Sequence, residues 1–313
     1  MNIYNELINK NNKALSKAIT LAESTLENDQ RFISNLLSKF PENQNTIRIG
    51  VTGIPGVGKS SFIEKFGQTF INQGKSVAVL AIDPSSEKTS GSILGDKSRM
   101  EKLSLEKNAF IRPSANNGVL GGVSNKTRDC ILLCEAAGYD IIIIETVGVG
   151  QSETTVSKLV DIMLLLTITG AGDQLQAIKR GIIELAHLII VTKDDGDNQM
   201  KAKKTLIEFK NIISINPPVD EIWLPKVLKC SSINNNGIDE INTIVNQFNN
   251  ISRREDAFIK KRKKQEIFWL KKVLKDELGN QKYSKLKESK KLDDIIKNII
   301  SGKDDLFNII QKN

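Results

Sequence analysis

One histidine and three cysteines are all that this chain of 313 residues offers toward the softer metal-binding and thiol chemistries. Zinc-type sites need His and Cys ligands at short fixed spacings. His187 stands alone in ELAHLII, ahead of an apolar run, and reads as structural. Cys130, Cys134 and Cys230 form no framework of pairs, which points to a reducing, cytoplasmic setting. Cys130 and Cys134 lie four apart in CILLCEAA and read as core packing on one helix face. No stretch approaches the roughly 18 uncharged apolar residues of a membrane span. The opening MNIYNELINKNNK has no apolar core of an export signal. Internal repeats are missing, and so is low complexity beyond a general richness in Asn, Lys and Ile.

What is present is ordinary for a globular protein: 39% hydrophobic and 26% charged residues, enough for a sizeable core at this length. The net charge of +8 is uneven. Residues 251–313 hold 18 Lys or Arg against 10 Asp or Glu, leaving 27 of each for residues 1–250. Acids are interspersed in that basic tail, and Phe258, Ile267, Leu270, Leu274 and Leu278 recur at helical spacing. A solvated helix or dimer arm fits this pattern better than a nucleic-acid arm.

Three textures divide the chain. In the first forty residues Leu7, Ala14, Leu15, Ala18, Ala22 and Leu26 mark one amphipathic helix, and Phe32, Ile33, Leu36, Leu37 and Phe40 a second that Pro41 ends. From residue 46 short apolar runs alternate with helical stretches: 47–52, 77–83, 109–112, 140–146, 162–169, 188–193 and 227–231. Runs such as IIIIE are apolar on both faces, as strands covered by helices on each side must be. The expected fold is α/β, a doubly wound, mostly parallel sheet, with ligands bound outside the carboxyl ends of its strands. The expected units are a helical extension over 1–44, a nucleotide domain over 45–249 and a helical arm over 250–313.

Residues 53–60, GIPGVGKS, match the phosphate-loop pattern G-x-x-x-x-G-K-[ST] at every specified position. Gly53, Gly56 and Gly58 let backbone N–H groups turn toward phosphate oxygens, with Ile54, Pro55 and Val57 between them. Lys59 is placed for the β- and γ-phosphates and the Ser60 hydroxyl for Mg²⁺, while Ser61 continues the loop into a helix. That helix offers its N-terminus to the anion.

Four further segments qualify the loop. In LAIDPSSEKTSGSILGDKSRM, Asp83 and Asp96 are carboxylates able to bind Mg²⁺, directly or through water, or to position the attacking water; turn and cap roles are the alternatives. DIIIIETVGVGQ ends an apolar strand in an acid, Glu145, suited to the Mg²⁺ shell. Gly148 can offer its N–H to the γ-phosphate, and Gln151 is a candidate water-orienting residue or a solvated loop residue. LIIVTKDDGD carries Thr192, Lys193 and Asp195 in the order that reads guanine: the Asp195 carboxylate can accept from N1–H and the 2-amino group, and adenine offers neither donor there. Thr192 stands where Asn is commoner, which weakens one expected contact near the loop. Ser231 and Ser232 close the next run, where a backbone N–H can meet the guanine O6. Arg99 and Arg128 are possible internal arginine fingers, with surface pairing the default.

Taken together, GIPGVGKSS, AIDPSSEKTSGSILGDKSRM, IRPSANNGVLGGVSNKTRD, CEAAGYDIIIIETVGVGQSE and GAGDQLQAIKRGI resemble the methylmalonyl-CoA mutase-associated GTPases, a group also called arginine/ornithine (LAO/AO) transport-system kinases. The similarity covers roughly residues 45–240. It implies a cytoplasmic, homodimeric P-loop GTPase that binds GTP or GDP with Mg²⁺. Its partner would be an adenosylcobalamin-dependent mutase, whose cofactor loading it gates and which it protects from inactivation. The resemblance further implies that Asp83, Asp96 and Glu145 are the magnesium and catalytic acids and that residues 145–153 are a switch. It also implies that the C-terminal arm dimerises. Slow intrinsic turnover is expected, since no dedicated general base is evident. A metal-insertion GTPase would need a Cys/His cluster that this composition does not supply. A kinase for amino-acid transport binding proteins would need a phosphoacceptor groove that no segment announces. No nucleic-acid or membrane partner is expected.

Overall fold

The computed structural model describes residues 3–41, 45–82, 100–113, 122–146, 152–169, 180–215, 222–289, 291–301, 303–304, 306 and 309–310. Its centre is a seven-stranded sheet in which every pairing is parallel. The strands are β1 (Ile47–Gly53), β2 (Val77–Ile82), β3 (Ala109–Pro113), β4 (Ile141–Thr146), β5 (Ile162–Ile168), β6 (Leu188–Thr192) and β7 (Lys226–Lys229). Their order is β3-β2-β4-β1-β5-β6-β7. All seven fall on the apolar runs, each within a residue or two of the expected ends.

Alternation along the strands assigns the faces. Ile47, Ile49 and Val51 of β1 and Ile141 and Ile143 of β4 point into one core, while Ile142 and Ile144 point into the other. The first core is filled by α4 (Lys59–Asn72), whose Phe62, Phe66 and Phe70 recur every fourth residue and are fully buried. Neighbouring rings lie 5.1 and 4.9 Å apart between centroids. Each such ring contributes about 1.5–3 kcal/mol by its burial. The strand-to-helix turn between β1 and α4 is the phosphate loop, so packing the phenylalanines fixes where that loop sits.

The amino-terminal segment folds as α1 (Ile3–Ile8), α2 (Asn12–Glu23) and α3 (Glu27–Leu37), one helix more than its periodicity predicts. The break falls at Lys10, whose φ is 53°, and Asn11, whose side chain accepts from the N–H groups of Lys13 and Ala14 as the cap of α2. Such a cap competes with helix continuation. Leu26 and Phe32, expected in the buried stripes, are exposed; Leu7, Leu15, Ala18, Ile19 and Ile33 carry the packing instead. These helices lie on the second face, together with α6 (Gly122–Ala136). The short helix α5 (Glu101–Ser104) lies on the α4 side, against Gly67, while Cys130 and Cys134 of α6 are buried and unoxidised. Burial pushes both thiols well above their ordinary pKa, which leaves them unreactive.

Beyond β4 come α7 (Ser152–Ser157), α8 (Arg180–Leu185), α9 (Gln199–Ile215) and α10 (Ile238–Arg254). The chain closes with α11 (Ala257–Glu288), kinked at Gly279, and α12 (Lys291–Ile300). These last two pack on each other through Leu270, Leu274, Leu278, Leu292 and Ile296. The first half of α11 is anchored to the sheet by polar groups that its charge pattern conceals. Arg262 holds Asp161 through Nε and Nη2, at 2.6 and 2.7 Å, and Glu135 through Nη1 at 2.8 Å. Arg48 of β1 closes the quartet on Glu135 at 2.6 and 2.8 Å. Gln265 donates to the Val160 carbonyl and Trp269 to that of Lys158. His187 is structural, as its setting in the sequence suggests: Nδ1 accepts from the Met163 N–H at 3.1 Å and the ring packs edge-on to Phe248. Burial, reinforced by Lys261, holds its pKa well below 6.5, so it is neutral. Among the described residues no helix is long and apolar enough to cross a membrane.

Candidate functional site

The carboxyl ends of β1, β4, β6 and β7 converge where the strand order reverses around β1. Register brings Glu145 beside Val51 and Gly53 beside Leu166. Gly53 has φ 152°, and a Cβ there would lie 2.4 Å from the Leu166 carbonyl oxygen, so the close approach of loop to β5 admits only glycine. Gly58, at φ 94°, caps α4 in the left-handed region and turns the chain so that the first N–H groups of the helix face outward. Val57 is buried and pins the loop from inside, while Pro55, Gly56 and Ser61 are exposed at its rim.

Lys59 is 9% exposed, and its ammonium donates to the carbonyls of Gly53 at 2.8 Å and Ile54 at 3.2 Å. Burial lowers its pKa, and the negative charges of Glu145 and Glu153 oppose that effect. The Ser60 hydroxyl lies 3.2 Å from Glu145 Oε1. A hydroxyl and a carboxylate oxygen this close are the hard oxygen donors that suit a small divalent cation, so these residues fit Mg²⁺. Behind them Thr146 donates to Thr52 at 2.9 Å, tying the end of β4 to the root of the loop.

On the other side of the loop the ends of β6 and β7 are joined. Cys230 N–H donates to Val191 O at 2.8 Å and Asp194 N–H to Cys230 O at 3.0 Å. Lys229 pairs with buried Asp194 at 2.8 Å. This aligns Asp195 with Ser231, whose hydroxyl donates to Asp195 Oδ2 at 2.5 Å. The same hydroxyl oxygen accepts from the N–H groups of Ile233 and Asn234, both at 3.2 Å. With its lone pairs taken, its single proton is directed at Asp195, which fixes the carboxylate. Lys193 is exposed and sits at φ 59°, a conformation non-glycine residues adopt at a cost.

Thr192, which stands where Asn is commoner, makes a side-chain contact with the loop. Its Oγ1 reaches Val57 O at 2.7 Å and Thr167 O at 3.0 Å, so the threonine still links β6 to the loop. The Ser231 N–H donates to Asn236 O at 3.0 Å, and it is the Ser231 side chain that positions Asp195. Asp83, Asp96, Arg99, Gly148 and Gln151 lie outside the described residues. Arg128 pairs with its neighbour Asp129 at 3.6 Å on a partly exposed surface. Among the described residues no group of three or more His, Cys, Asp or Glu could hold a metal ion.

A glycine-bounded strand-to-helix turn with a buried lysine, at the switch point of a parallel sheet, defines a P-loop nucleotide-binding protein of the α/β class. The comparisons narrow the class. Residues 15–287 match the family model described as Methylmalonyl Co-A mutase-associated GTPase MeaB, and the chain belongs to that family. It is 46% identical over 277 residues to a putative GTPase of Caulobacter vibrioides, covering 88% of this chain and 85% of the relative. It is 45% identical over 271 residues to the GTPase ArgK of Escherichia coli K12, covering 86% and 82%. A crystal structure of an LAO/AO transport system kinase superposes with a TM-score of 0.74 at 33% identity, covering 96% of each chain.

Proposed function

We propose that this chain binds GTP and hydrolyses it with Mg²⁺, and that the cycle serves an adenosylcobalamin-dependent acyl-CoA mutase. The observation that carries the guanine assignment is Asp195, held by the Ser231 hydroxyl at 2.5 Å just beyond the end of the strand that Thr192 links to the phosphate loop. The family description supplies the mutase. Hydrolysis and partner belong to the cytoplasm, with the α11–α12 arm pairing two copies.

In this reading the loop N–H groups and the N-terminus of α4 take the phosphates, and Lys59 leaves its carbonyl contacts for the β- and γ-phosphate oxygens. Ser60 and Glu145 would hold the cation, with Asp83 and Asp96 as the further acids. When bound, Mg²⁺ supplies neutralisation of the charge that builds on the transferring phosphoryl group. Gly148 offers its N–H to that group. Asp195 accepts from the guanine N1–H and 2-amino group, Lys193 lies along the base plane, and the donor to O6 falls to Ser232, since the Ser231 N–H is already used. Turnover without the partner is expected to be slow.

Asp195→Asn tests the base assignment. An amide offers one acceptor and a donor in place of two acceptors, so affinity for GTP is expected to fall about 10–100-fold. Xanthosine triphosphate, which carries a carbonyl where guanine has the 2-amino group, should gain in the variant. Calorimetric titration of GTP, ATP and xanthosine triphosphate reads this out, and an unchanged order of preference would remove guanine from the reading. The partner is tested separately. Adding methylmalonyl-CoA mutase or its close isomerase relatives is expected to raise GTP turnover by about tenfold or more, as partners that complete such sites do. No response from any of them would break the partner assignment and leave the GTPase standing.

A further inference from the structure

Asp194 stands next to the base-reading acid and is buried at 7% exposure, yet the proposed chemistry gives it no task. A carboxylate so far from water is costly unless a counter-charge or a full set of hydrogen bonds meets it. Lys229, the last residue of β7, supplies the charge: its Nζ lies 2.8 Å from Asp194 Oδ2. Asp194 Oδ1 has no hydrogen-bond partner among the described residues, so the carboxylate depends on this lysine. Ion pairs between two exposed side chains contribute little. Here the acid's side chain is only 10% exposed, and losing the lysine would strand a buried charge.

The backbone around the pair is strained. Lys193 has φ 59° and Gly196 φ 51°, so left-handed residues bracket Asp194 and Asp195. Glycine takes that conformation freely, whereas a lysine takes it at a cost that its surroundings must offset. Two rungs from the end of β7 do so. In the first, the Asp194 N–H donates to Cys230 O at 3.0 Å and its carboxylate meets Lys229. In the second, Ser231, two residues beyond Lys229, holds Asp195 at 2.5 Å. Consecutive acids are thus held by alternate residues of one strand end. Without the first rung, Ser231 alone would have to set the direction of Asp195.

We propose that Lys229 and Asp194 are positioning residues for guanine specificity, whose ion pair holds the left-handed turn at Lys193 and so aims Asp195 at the base. The proposal rests on the guanine-nucleotide reading above. Guanine offers Asp195 two donors, N1–H and the 2-amino group; hypoxanthine, the base of inosine nucleotides, offers N1–H alone. Accepting both at once needs the carboxylate in one orientation, whereas a single donor tolerates a tilt. The pair therefore bears on the contact that separates guanine from a close analogue. Lys193 along the base plane serves both bases equally, so loosening it alone would lower both affinities alike.

Calorimetry with GDP and inosine diphosphate, each with Mg²⁺, tests this on the full chain. The unsubstituted protein is expected to prefer GDP by about tenfold or more. Lys229→Met is expected to weaken GDP by about tenfold and inosine diphosphate by about threefold or less, so that the preference narrows. Lys229→Arg, which keeps the charge, is expected to restore it. Asp194→Asn should narrow it as well, and the double variant should be no worse than either single one, because each removes the same interaction. With GTP, KM should rise in Lys229→Met while kcat stays within about twofold, as the pair lies away from the phosphates. An unchanged preference in Lys229→Met, or losses that add in the double variant, would overturn the proposal. If the unsubstituted protein does not distinguish GDP from ADP, the guanine-nucleotide reading itself falls and the proposal with it.

Discussion

Lys59→Ala is expected to lower GTP turnover by about 10²–10³-fold or more, the scale of losing a preorganised charge at a phosphoryl-transfer site. The residue is buried, it stands at the first position of α4, and its ammonium already lies over the loop carbonyls. Delivering it to a phosphate needs a rotation of the side chain and no new ordering of the backbone. The effect should therefore fall mainly on kcat, because the charge is needed most as the γ-phosphoryl group transfers. Lys59→Arg should rescue poorly, since a planar guanidinium does not fit the space between the Gly53 and Ile54 carbonyls that a compact ammonium fills. The fold should survive, as Phe62, Phe66 and Phe70 continue to seat α4. Full GTP hydrolysis by a folded Lys59→Ala protein would sink the assignment.

The parts of this molecule legible in its sequence are those encoded by local repetition. Runs such as IIIIE cannot be satisfied except inside a sheet covered on both faces, so all seven strands could be read. The phosphate loop could be read because its glycines answer a steric demand, visible at Gly53 against the Leu166 carbonyl. What was hidden depends on pairs far apart in the chain. Nothing near Ser231 says that its proton goes to Asp195, and the Thr192 hydroxyl meets a carbonyl 135 residues away. Asn11 was hidden for the opposite reason: its cap is so local that a helical period running through it masks the break. Glu153 looked like any acid following a glycine-rich segment, because burial of a single charge leaves no pattern in the sequence.

The basic tail was the place where composition misled most. Arg262 and Gln265 carry no apolar signal in the sequence, yet both are buried and join α11 to the rest of the fold. Arg262→Met is expected to cost about 3–5 kcal/mol, because it takes from Asp161, at 5% side-chain exposure, its guanidinium partner and leaves Glu135, at 6%, with Arg48 alone. Urea unfolding measures the loss. Trp269, buried on the same helix and bonded to Lys158 O, should report it by a red shift if α11 lifts away. The pH dependence carries a sign. Burial pushes the Asp161 carboxyl up, but the charges and hydrogen bonds of Arg262 and Arg48 outweigh it and hold the pKa below 3.8. A depressed carboxylate contributes stability that is full above its unfolded pKa and is lost as pH falls through the folded one. The gap between the parent protein and Arg262→Met should therefore be largest near neutrality and narrow below about pH 4. A gap that stayed constant into acid would mean that Arg262 acts through packing, and the ion pair would not be what anchors the arm.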